Sequence, residues 1–544
     1  MPETTCGREA FLKVITSMPK LRIVFYNHPR KFEGHVVEAL TLVEPHLKIV
    51  PTFQENVCTG AADGYARMTG QPAIAVVNQT TGLQASLANQ HNAKRAGVPM
   101  LIIVAEEATG DAFMRTMPEE SGLPTSEALA GTVSRFVVRP STPQSLAADL
   151  CRAVASLDVP AEPSQSRIAT CVIPENLEWN MKARKKGLPP TAEPPFPTPH
   201  IFSAAAHASK LDAMTSALKE HGKGVALLLG GAALYEPCLG IFGAIAQATG
   251  CRLLGINLFS RIDRGVGHPT VDRLPYFPDD TLKLLSTFKH IILCNSLTPV
   301  AQFGYEDMIS STYPSAVPKH ELNFSNMVDA AAHLLSLVPK AGSATPLLKP
   351  KPPPSSVPHG KLTPAKMCSL IAMLQPENAI IVDESLTSGS TYYEASSGCP
   401  SFSHLYLTGG AIGQGMPCAV GCAIACPDRK IINIQADGSG LYTSQALYTQ
   451  AIEKLNVLTV ICANETYQIL RVEQRKQGVK VDVDKKAATH RNLTSLRNPT
   501  LDWEAIAGSY GVTSTTATTV AEFETQFRAG IANMGGPRLI VAKL

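Results

Sequence analysis

Short apolar runs alternate with longer amphipathic segments along most of the chain. In the first third, three such runs predict strands, and the two segments between them predict helices. In chain order these elements are HLKIVPTF, ENVCTGAADGYARM, PAIAVVN, LQASLANQHNAKRAG and PMLIIVAE, and Gly70 ends the first helix. Strands that alternate with helices in this way predict a parallel sheet with helices on its faces.

The last third of the chain repeats this pattern. IINIQ and NVLTVICA predict strands, and the segment LYTSQALYTQAIEKL between them predicts a helix. The middle third adds the apolar runs GVALLLGGAALY, CRLLGIN and HIILCNS as buried strands. We therefore expect an α/β protein with three doubly wound parallel-sheet domains, of which the first and the last share one architecture.

Two proline-rich stretches divide the chain, near residues 182–200 and 339–361. Proline removes backbone donors and stiffens the chain, so neither stretch continues a sheet. The 544 residues are also several times more than one hydrophobic core usually organises. These features predict domains at residues 1–180, 200–340 and 362–544.

The overall composition excludes several classes of function. A formal charge of +3 on 544 residues, with acidic and basic side chains interspersed, does not favour nucleic acid as a partner. The first residues lack the features of a signal peptide and no run of about 18 apolar residues follows, so we expect neither secretion nor a membrane span. The thirteen cysteines are scattered and are expected to be free thiols.

Three of these cysteines recur at every fourth residue of one segment. Cys418, Cys422 and Cys426 would lie on one face of a helix. Such a face can hold a soft metal. The small apolar neighbours favour the other interpretation, in which the thiols pack as small hydrophobic groups.

Polar side chains follow two neighbouring strands of the last domain. Asp437 comes directly after one strand and Asn464 directly after the next. The intervening helix of about 15 residues climbs about 22 Å and the strand descends about as far, so both side chains reach the carboxyl edge of the sheet. Their oxygens suit Mg²⁺, Gly438 permits close approach of phosphates, and Ser439 opens a helix whose N–H groups favour an anion. An ordinary turn with an Asp cap is the alternative, and the spacing favours the metal site.

The segment from Gln435 to Gln468 resembles the thiamine-diphosphate motif, a Gly-Asp-Gly followed some thirty residues later by Asn. The chain is thus similar to the family of acetolactate synthases and 2-oxo-acid decarboxylases such as benzoylformate decarboxylase. The resemblance implies pyrimidine-binding, middle and diphosphate-binding domains, with thiamine diphosphate and Mg²⁺ as cofactors. The first motif glycine is Ala436 here, and we expect its methyl group to crowd the turn slightly. The resemblance implies that Asp437, Asn464 and the Thr466 carbonyl bind the metal. It also implies that Gly438 and Ser439 contact the diphosphate.

The loop LTGGAIGQGMP resembles the segment that lies beneath the cofactor in this family. The resemblance implies cofactor contacts from Gly410, Ala411 and Ile412. A bulky apolar side chain at the position of Ile412 folds the two thiamine rings into a V shape, and plain core packing is its alternative role. Further cofactor contacts are implied for Tyr467 and Ile469.

Glu55 stands between a predicted strand and a predicted helix. A carboxylate there gains about 0.3–1 kcal/mol from the helix N-terminus, so capping alone can explain it. The following string AADGYAR, Ala61–Arg67, resembles the pyrimidine-binding domain of the same family, in which the matching glutamate hydrogen-bonds the aminopyrimidine ring. A carboxyl group that shares a proton with this ring promotes loss of the thiazolium proton. The resemblance therefore implies that Glu55 is catalytic and binds the cofactor.

The substrate side departs from the family pattern. Thr80-Thr81-Gly82 stands where the family has Gly-Pro-Gly, and Asn78 stands where decarboxylases often have a histidine. The stretch Glu384–Ser388, in VDESLTSG, resembles the start of the diphosphate-binding domain and is expected to line the pocket. The predicted substrate pocket contains Asn78, Gln79, Thr80 and Gln468.

The resemblance implies an enzyme that forms or cleaves a carbon–carbon bond next to a carbonyl, most directly by decarboxylating a 2-oxo acid. A carboligase or lyase like acetolactate synthase or 2-hydroxyacyl-CoA lyase is the alternative within enzymes. A cofactor-binding homologue without turnover is the alternative outside them. The middle domain resembles the FAD domain of acetolactate synthases, but no G-x-G-x-x-G follows a strand there, so we do not expect FAD.

The expected partners are a small 2-oxo acid or acyl substrate and further copies of the chain. In the resembling family the cofactor bridges two subunits, which implies a homodimer or a dimer of dimers, a homotetramer, with shared active sites. The expected location is cytoplasmic. The ending Ala542-Lys543-Leu544 resembles the Ser-Lys-Leu address, which predicts peroxisomal import if the source is eukaryotic.

Overall fold

Three β-sheets organise the part of the chain that a computed structural model describes. The described residues are 14–15, 17–27, 47–106, 125–158, 165–174, 177, 201–306, 310–339, 358–478 and 493–544. Each sheet is parallel except at one edge of the third. The predicted α/β class with three parallel-sheet domains is confirmed, and the domain bounds stay predictions.

The first sheet has six parallel strands in the order β2-β1-β3-β4-β6-β5. They are β1 (Ile23–Tyr26), β2 (Lys48–Pro51), β3 (Ala73–Asn78), β4 (Met100–Glu106), β5 (Phe136–Val138) and β6 (Ile168–Pro174). Its helices are α1 (Glu55–Thr69), α2 (Gln79–Ala96), α3 (Ser126–Ala130) and α4 (Pro143–Asp158). Helix α1 ends as predicted at Gly70, whose φ of 68° lies in the left-handed region that glycine favours.

The second sheet has five parallel strands in the order β10-β8-β7-β11-β12. This stretch of chain contains β7 (Val225–Leu229), β8 (Arg252–Gly255), β9 (Arg261–Arg264), β10 (Asp272–Arg273), β11 (His290–Cys294) and β12 (Lys319–Leu322), of which β9 pairs elsewhere. Its helices are α5 (Ala208–His221), α6 (Cys238–Thr249), α7 (Pro278–Leu285) and α8 (Met327–Leu337), with short 3₁₀ turns at Gly222–Gly224 and Gly231–Leu234.

The third sheet has seven strands in the order β17-β18-β16-β15-β13-β14-β9. Besides β9 they are β13 (Ile380–Glu384), β14 (Phe402–Tyr406), β15 (Ile431–Ala436), β16 (Val457–Ala463), β17 (Thr513–Ala517) and β18 (Arg538–Lys543). Its helices are α9 (Pro364–Leu374), α10 (Tyr392–Ala395), α11 (Gly415–Ala425), α12 (Asp437–Gly440), α13 (Ala446–Ile452), α14 (Gln468–Lys476), α15 (Trp503–Ser509) and α16 (Val520–Ala532).

Strand β9 leaves its sequence neighbours and pairs antiparallel with β14, an exchange that the sequence pattern does not indicate. Buried polar contacts hold it there. Asp263 accepts a hydrogen bond from the Ser403 hydroxyl at 2.9 Å, and the Arg264 guanidinium stacks 3.5 Å from the ring centroid of Tyr393. The strand covers an edge of the third sheet that would otherwise be open to pairing with other chains.

Helices α1 and α11 pack directly against each other and connect the domains of the first and third sheets. Gly64 lies so close to the Cys418 carbonyl, and Gly421 to the Ala61 carbonyl, that a β-carbon at either glycine would overlap the opposite backbone. Cys422 Sγ lies 3.7 Å from the Gly64 carbonyl oxygen. Two of the three regularly spaced thiols are therefore buried in this helix contact.

Two element boundaries differ from the sequence predictions. The helix predicted over residues 441–455 is the shorter α13, because its first residues form turns in which the Thr443 hydroxyl donates to the Gly413 carbonyl at 2.9 Å. Helix α2 begins at Gln79 instead of the predicted Leu83, so Thr80–Gly82 belong to its first turn. Within the described residues, no helix is both long and apolar enough to cross a bilayer.

Candidate cofactor and metal site

The ends of β15 and β16 bring the predicted metal ligands together. These strands are parallel neighbours, and Ala436 pairs with Cys462 in their register. Asp437 follows β15 at nearly the same level at which Asn464 follows β16. The backbone N–H of Glu465 donates to Asp437 Oδ2 at 2.6 Å, which joins the two strand ends directly.

Asp437 is a buried carboxylate with only 3% of its surface exposed. Its oxygens accept hydrogen bonds from the backbone N–H groups of Gly438, at 2.9 Å, and Glu465. Among the described residues, no cationic side chain lowers its pKa. Burial raises the pKa of Asp437 to about 6, because the loss of hydration outweighs the two N–H bonds. A bound cation would supply the charge that this carboxylate lacks.

Both the nitrogen and the oxygen of the Asn464 side-chain amide form hydrogen bonds. Nδ2 donates to the Ser388 hydroxyl at 3.2 Å, and Oδ1 accepts from the Thr466 N–H at 3.0 Å. Glu465 between them has a φ of 57°, which is uncommon outside glycine and is often found at functional sites. The Asp437 carboxylate, the Asn464 amide oxygen and the Thr466 carbonyl, which also accepts from the Gln468 N–H at 2.9 Å, are the hard oxygen donors that Mg²⁺ prefers, so the residues present fit this metal.

The Glu465 carboxylate fixes this turn to later parts of the chain. It pairs with Arg497 Nε at 2.9 Å and with Lys543 Nζ at 3.3 Å. The N–H of Leu544 donates to the Ala463 carbonyl at 3.1 Å. Two residues of the tripeptide that resembles a peroxisomal address therefore lie against the candidate metal loop, and the location of the protein stays an expectation.

Gly438 is covered by an aromatic ring. A β-carbon on Gly438 would lie 2.5 Å from the ring of Tyr467, so only glycine allows this ring to approach. The Tyr467 hydroxyl lies 3.4 Å from the Gly438 carbonyl. Helix α14 begins directly after this tyrosine with Gln468 and Ile469, which are partly buried. The predicted cofactor contacts of this segment thus border the Asp437 loop.

Ala436 fits its turn without strain. Its φ of −66° and ψ of 140° are ordinary for any residue, so this backbone position does not require glycine. The predicted crowding at this position is therefore not seen in the backbone. Ser439 is buried, and its hydroxyl accepts from Gln435 Nε2 at 2.7 Å and lies 3.2 Å from the Ala436 carbonyl.

The loop at residues 409–415 lies against helix α2 of the first domain. Asn92 Nδ2 donates to the Ala411 carbonyl at 2.8 Å, and Asn92 Oδ1 accepts from the Ala411 N–H at 3.3 Å. Gly410 has a φ of 79°, and nothing lies near the position of its missing side chain. Ile412 is partly buried rather than part of a closed core, which leaves its side chain accessible to a ligand.

Glu55 lies at the start of α1, but another residue caps this helix. Gln54 is the N-cap, and its side chain accepts the Val57 N–H at 3.0 Å. Glu55 is partly buried, and a β-carbon on Gly82 would lie 3.3 Å from its carboxylate and 3.7 Å from Asn78. Glu55, Asn78 and the first turn of α2 therefore form one cluster. Gln54 supplies the side-chain cap, whereas Glu55 in the first turn still gains from the helix N-terminus, so its catalytic role stays a prediction.

Two other predicted pocket residues lie beside this cluster. Gln79 is buried and has a φ of 54°, a strained conformation between β3 and α2. The Thr80 hydroxyl is buried and lies 2.8 Å from the Ser126 hydroxyl and 3.4 Å from Glu106 Oε2. Thr80 thus contributes to a polar network inside the first domain, which makes a direct role in binding substrate less favourable for this side chain.

The predicted residues form two separate groups within one chain. Glu55, Asn78 and Gln79 gather at the carboxyl edge of the first sheet, and the metal ligands gather at the carboxyl edge of the third. Among the described residues, no hydrogen bond or ion pair joins Glu55 to Asp437 or Asn464. The two groups are therefore not in direct contact, although the first and third domains touch near them, as in the bond from the Thr449 hydroxyl to the Pro51 carbonyl at 3.0 Å.

A cavity of about 920 Å³ lies at the carboxyl ends of the second sheet, next to the first domain, and extends to Gly409 at the start of the 409–415 loop. Gly231, Asn257 and Asn295 from the strand ends line it, together with Arg95 and Arg167 of the first domain. This is the position at which open α/β sheets bind ligands. The expected absence of FAD from this domain stays a prediction.

Comparisons with known proteins agree with this arrangement. The family model for the thiamine pyrophosphate enzyme N-terminal TPP binding domain matches residues 20–122, and the model for the C-terminal TPP binding domain matches residues 389–542. A Mycobacterium tuberculosis protein, provisionally named acetolactate synthase large subunit IlvX, is 37% identical over 524 residues, 95% of each chain. Benzoylformate decarboxylase of Pseudomonas aeruginosa is 30% identical over 203 residues, 37% of this chain and 36% of that one.

Solved structures share the fold. The thiamine diphosphate-dependent 4-hydroxybenzoylformate decarboxylase of Rhodococcus jostii RHA1 superposes with a TM-score of 0.81 at 19% identity, covering 99% of both chains. Benzoylformate decarboxylase of Polynucleobacter necessarius gives a TM-score of 0.79 at 16% identity, again over 99% of both. The N- and C-terminal binding domains and the full-length relative together identify this chain as a member of the thiamine pyrophosphate enzymes, beside acetolactate synthases and benzoylformate decarboxylases.

Proposed function

We propose that this protein is a thiamine-diphosphate- and Mg²⁺-dependent enzyme that decarboxylates a 2-oxo acid. The observation that carries the proposal is the pairing of Asp437 and Asn464 at adjacent strand ends, with a buried carboxylate that lacks a cation among its described neighbours. The family supports thiamine diphosphate as the cofactor. The oxygen donors of the site support Mg²⁺.

Residues of the third domain would hold the cofactor. Asp437, Asn464 and the Thr466 carbonyl would hold Mg²⁺, whose charge would help to bind the diphosphate. The Gly438 backbone and the Ser439 hydroxyl would contact the diphosphate oxygens. When bound, thiamine diphosphate supplies the electron sink for negative charge at the carbon next to a carbonyl.

Glu55 would hold a proton at its carboxylate and exchange it with the pyrimidine ring. Gln54 already caps α1, so the Glu55 carboxylate is available for this role. Its partly buried position beside Gly82 supports the role, because limited hydration strengthens a hydrogen bond to a ligand. Ile412, partly exposed on the loop between the domains, would support the cofactor rings from below.

We propose that a second copy of the chain completes each site, in a homodimer or a dimer of dimers. No described hydrogen bond or ion pair joins the two residue groups within one chain, and the family relationship supports a site formed by the first domain of one subunit and the third domain of another. Exposed aromatic groups support this further, since Phe53 is 39% and Tyr448 is 40% exposed, and their ring centroids lie 4.6 Å apart. Such rings are typical of buried interfaces.

Carboligation is the second candidate function, and a specific observation favours it. The relative that matches 95% of this chain carries the provisional name of an acetolactate synthase. A homologue without turnover is less well supported, because the backbone at Ala436 is unstrained and the predicted ligands come together.

A panel of 2-oxo acids tests the proposal. Protein loaded with thiamine diphosphate and Mg²⁺ is supplied with pyruvate, longer aliphatic 2-oxo acids and benzoylformate, and CO₂, aldehyde and acetolactate are measured. Formation of one aldehyde for each CO₂ released supports decarboxylation. Formation of one acetolactate for each CO₂ released supports carboligation. Asp437→Ala should abolish both, whereas Glu524→Gln, which removes a carboxylate that pairs with the surface residue Arg528, should retain them. No turnover of any member by cofactor-loaded protein would reject the proposal.

A further inference from the structure

The Glu384 carboxylate receives four hydrogen bonds from two different segments. Oε1 accepts from the N–H groups of Gly413, at 2.7 Å, and Gln414, at 3.3 Å. Oε2 accepts from the N–H of Gly415 at 2.7 Å and from Gln435 Nε2 at 2.9 Å. Both oxygens are thus fully engaged, and three of the donors are the N–H groups at the start of α11.

Glu384 is almost completely buried, with 1% of its surface exposed, so it does not line a pocket as the sequence indicates. No cationic side chain pairs with it among the described residues. The backbone has adapted to this carboxylate, because a β-carbon on Gly415 would lie 3.0 Å from Glu384 Oε2 and also overlap the Gln435 amide. Burial of a carboxylate is costly unless its oxygens are satisfied, and here backbone and amide donors satisfy them.

Gln435 connects this carboxylate to the predicted diphosphate loop. Its Nε2 donates both to Glu384 Oε2, at 2.9 Å, and to the Ser439 hydroxyl, at 2.7 Å. The side chain is completely buried. Because an amide has only two N–H protons, both are used, and the orientation of the Ser439 hydroxyl depends on where Glu384 holds the amide.

We infer that Glu384 is a positioning residue for two loops. It holds the loop that carries Ile412 through the N–H groups of Gly413–Gly415. Through Gln435, it also orients the Ser439 hydroxyl of the diphosphate loop. The inference rests on the proposed function and deepens it, because the two loops are those that would contact the rings and the diphosphate of the cofactor. An ordinary cap of α11 would need only the three backbone bonds. The Gln435 bridge is what links the two loops.

Glu384→Gln tests this with little change in shape. Any orientation of the new amide places an NH₂ group against donors, either the N–H groups of Gly413 and Gln414 or those of Gly415 and Gln435. Wild-type and variant proteins without cofactor are compared by hydrogen–deuterium exchange of a peptide that covers the loop. The affinity of each for thiamine diphosphate with Mg²⁺ is measured by calorimetry. We expect faster exchange in the loop and a Kd that rises about 10- to 100-fold, the usual effect of losing a supporting partner.

Asp383→Asn is the matched control. Asp383 is the preceding residue of the same strand and is buried, but it contacts His404 and Ser385 instead of the loop. This variant should keep the exchange of the loop unchanged and the Kd within about threefold of wild type. If Glu384→Gln leaves both quantities unchanged, or if Asp383→Asn alters them equally, the inference is wrong.

Gln435→Met keeps the inference testable if Glu384→Gln does not fold. It removes the bridge but leaves the three backbone bonds between Glu384 and the loop, so the loop should stay protected from exchange while the Kd for the cofactor rises by about tenfold or more. An unchanged Kd would overturn the link to Ser439. Failure of the proposed function is recognised separately, because wild-type protein would then either not bind thiamine diphosphate with Mg²⁺ or bind it without turning over any 2-oxo acid of the panel.

Discussion

In cofactor-free protein, Asp437→Asn should remove a pH-dependent cost to stability. Burial raises the pKa of Asp437 to about 6 from an ordinary value of 3.8. A carboxyl group whose pKa is higher in the folded state favours folding at pH values below about 4, and this contribution is lost as the pH rises through about 6. This pKa shift corresponds to about 3 kcal/mol in the free energy of unfolding, and about half of that change occurs between pH 5 and 8.

The asparagine variant should lack this pH dependence but carry a constant penalty. Its single side-chain oxygen cannot accept from the N–H groups of both Gly438 and Glu465 as the carboxylate does, which costs about 1–3 kcal/mol at every pH. The variant should therefore be less stable than wild type at pH 5. The difference should move in favour of the variant by about 1.5 kcal/mol between pH 5 and 8.

Trp503 provides the assay for this difference. It is buried, and a β-carbon on Gly440 would lie 2.9 Å from its ring, so its fluorescence reports on the end of α12. Urea unfolding would be followed in a Trp179→Phe background after removal of cofactor and metal. A difference between Asp437→Asn and its parent that stays constant from pH 5 to 8 would refute the raised pKa. Added Mg²⁺ and thiamine diphosphate should stabilise only the parent at pH 8.

Three further predictions concern catalysis, assembly and packing. Glu55→Gln should bind cofactor with a Kd within about tenfold of wild type, a difference of about 1.4 kcal/mol. Exchange of the thiazolium C2 proton, followed by NMR after acid quench, should be slower by orders of magnitude. Unchanged exchange would remove the catalytic role of Glu55. Mixing inactive Glu55→Gln and Asp437→Ala chains should restore part of the activity, and failure in proven mixed dimers would contradict a shared site. Gly421→Ala should destabilise the protein by about 1–3 kcal/mol or more in thermal unfolding, because its methyl group would overlap the Ala61 carbonyl; an unchanged midpoint would contradict the close contact.

The sequence predicts those parts of the site that follow from strand order. Asp437 and Asn464 could be predicted because each directly follows an apolar strand, and parallel neighbours end at the same edge. The start of the intervening helix could not be predicted, because Thr443 bonds to the distant Gly413 carbonyl. Strand β9 was missed for a similar reason, since RIDR has no apolar pattern and its partners come from a later part of the chain.

The roles proposed for two buried carboxylates of the third domain differ, although their sequence surroundings do not distinguish them. Glu384 is the last residue of β13 and Asp437 directly follows β15, and neither has a cationic partner among the described residues. Glu384 accepts four hydrogen bonds and has no capacity left, whereas Asp437 accepts two and keeps lone pairs for a metal. Mg²⁺ should therefore need Asp437 as a direct ligand and Glu384 only as a support. The number of donors around each carboxylate separates the two roles, and these donors come from segments that only the fold brings together.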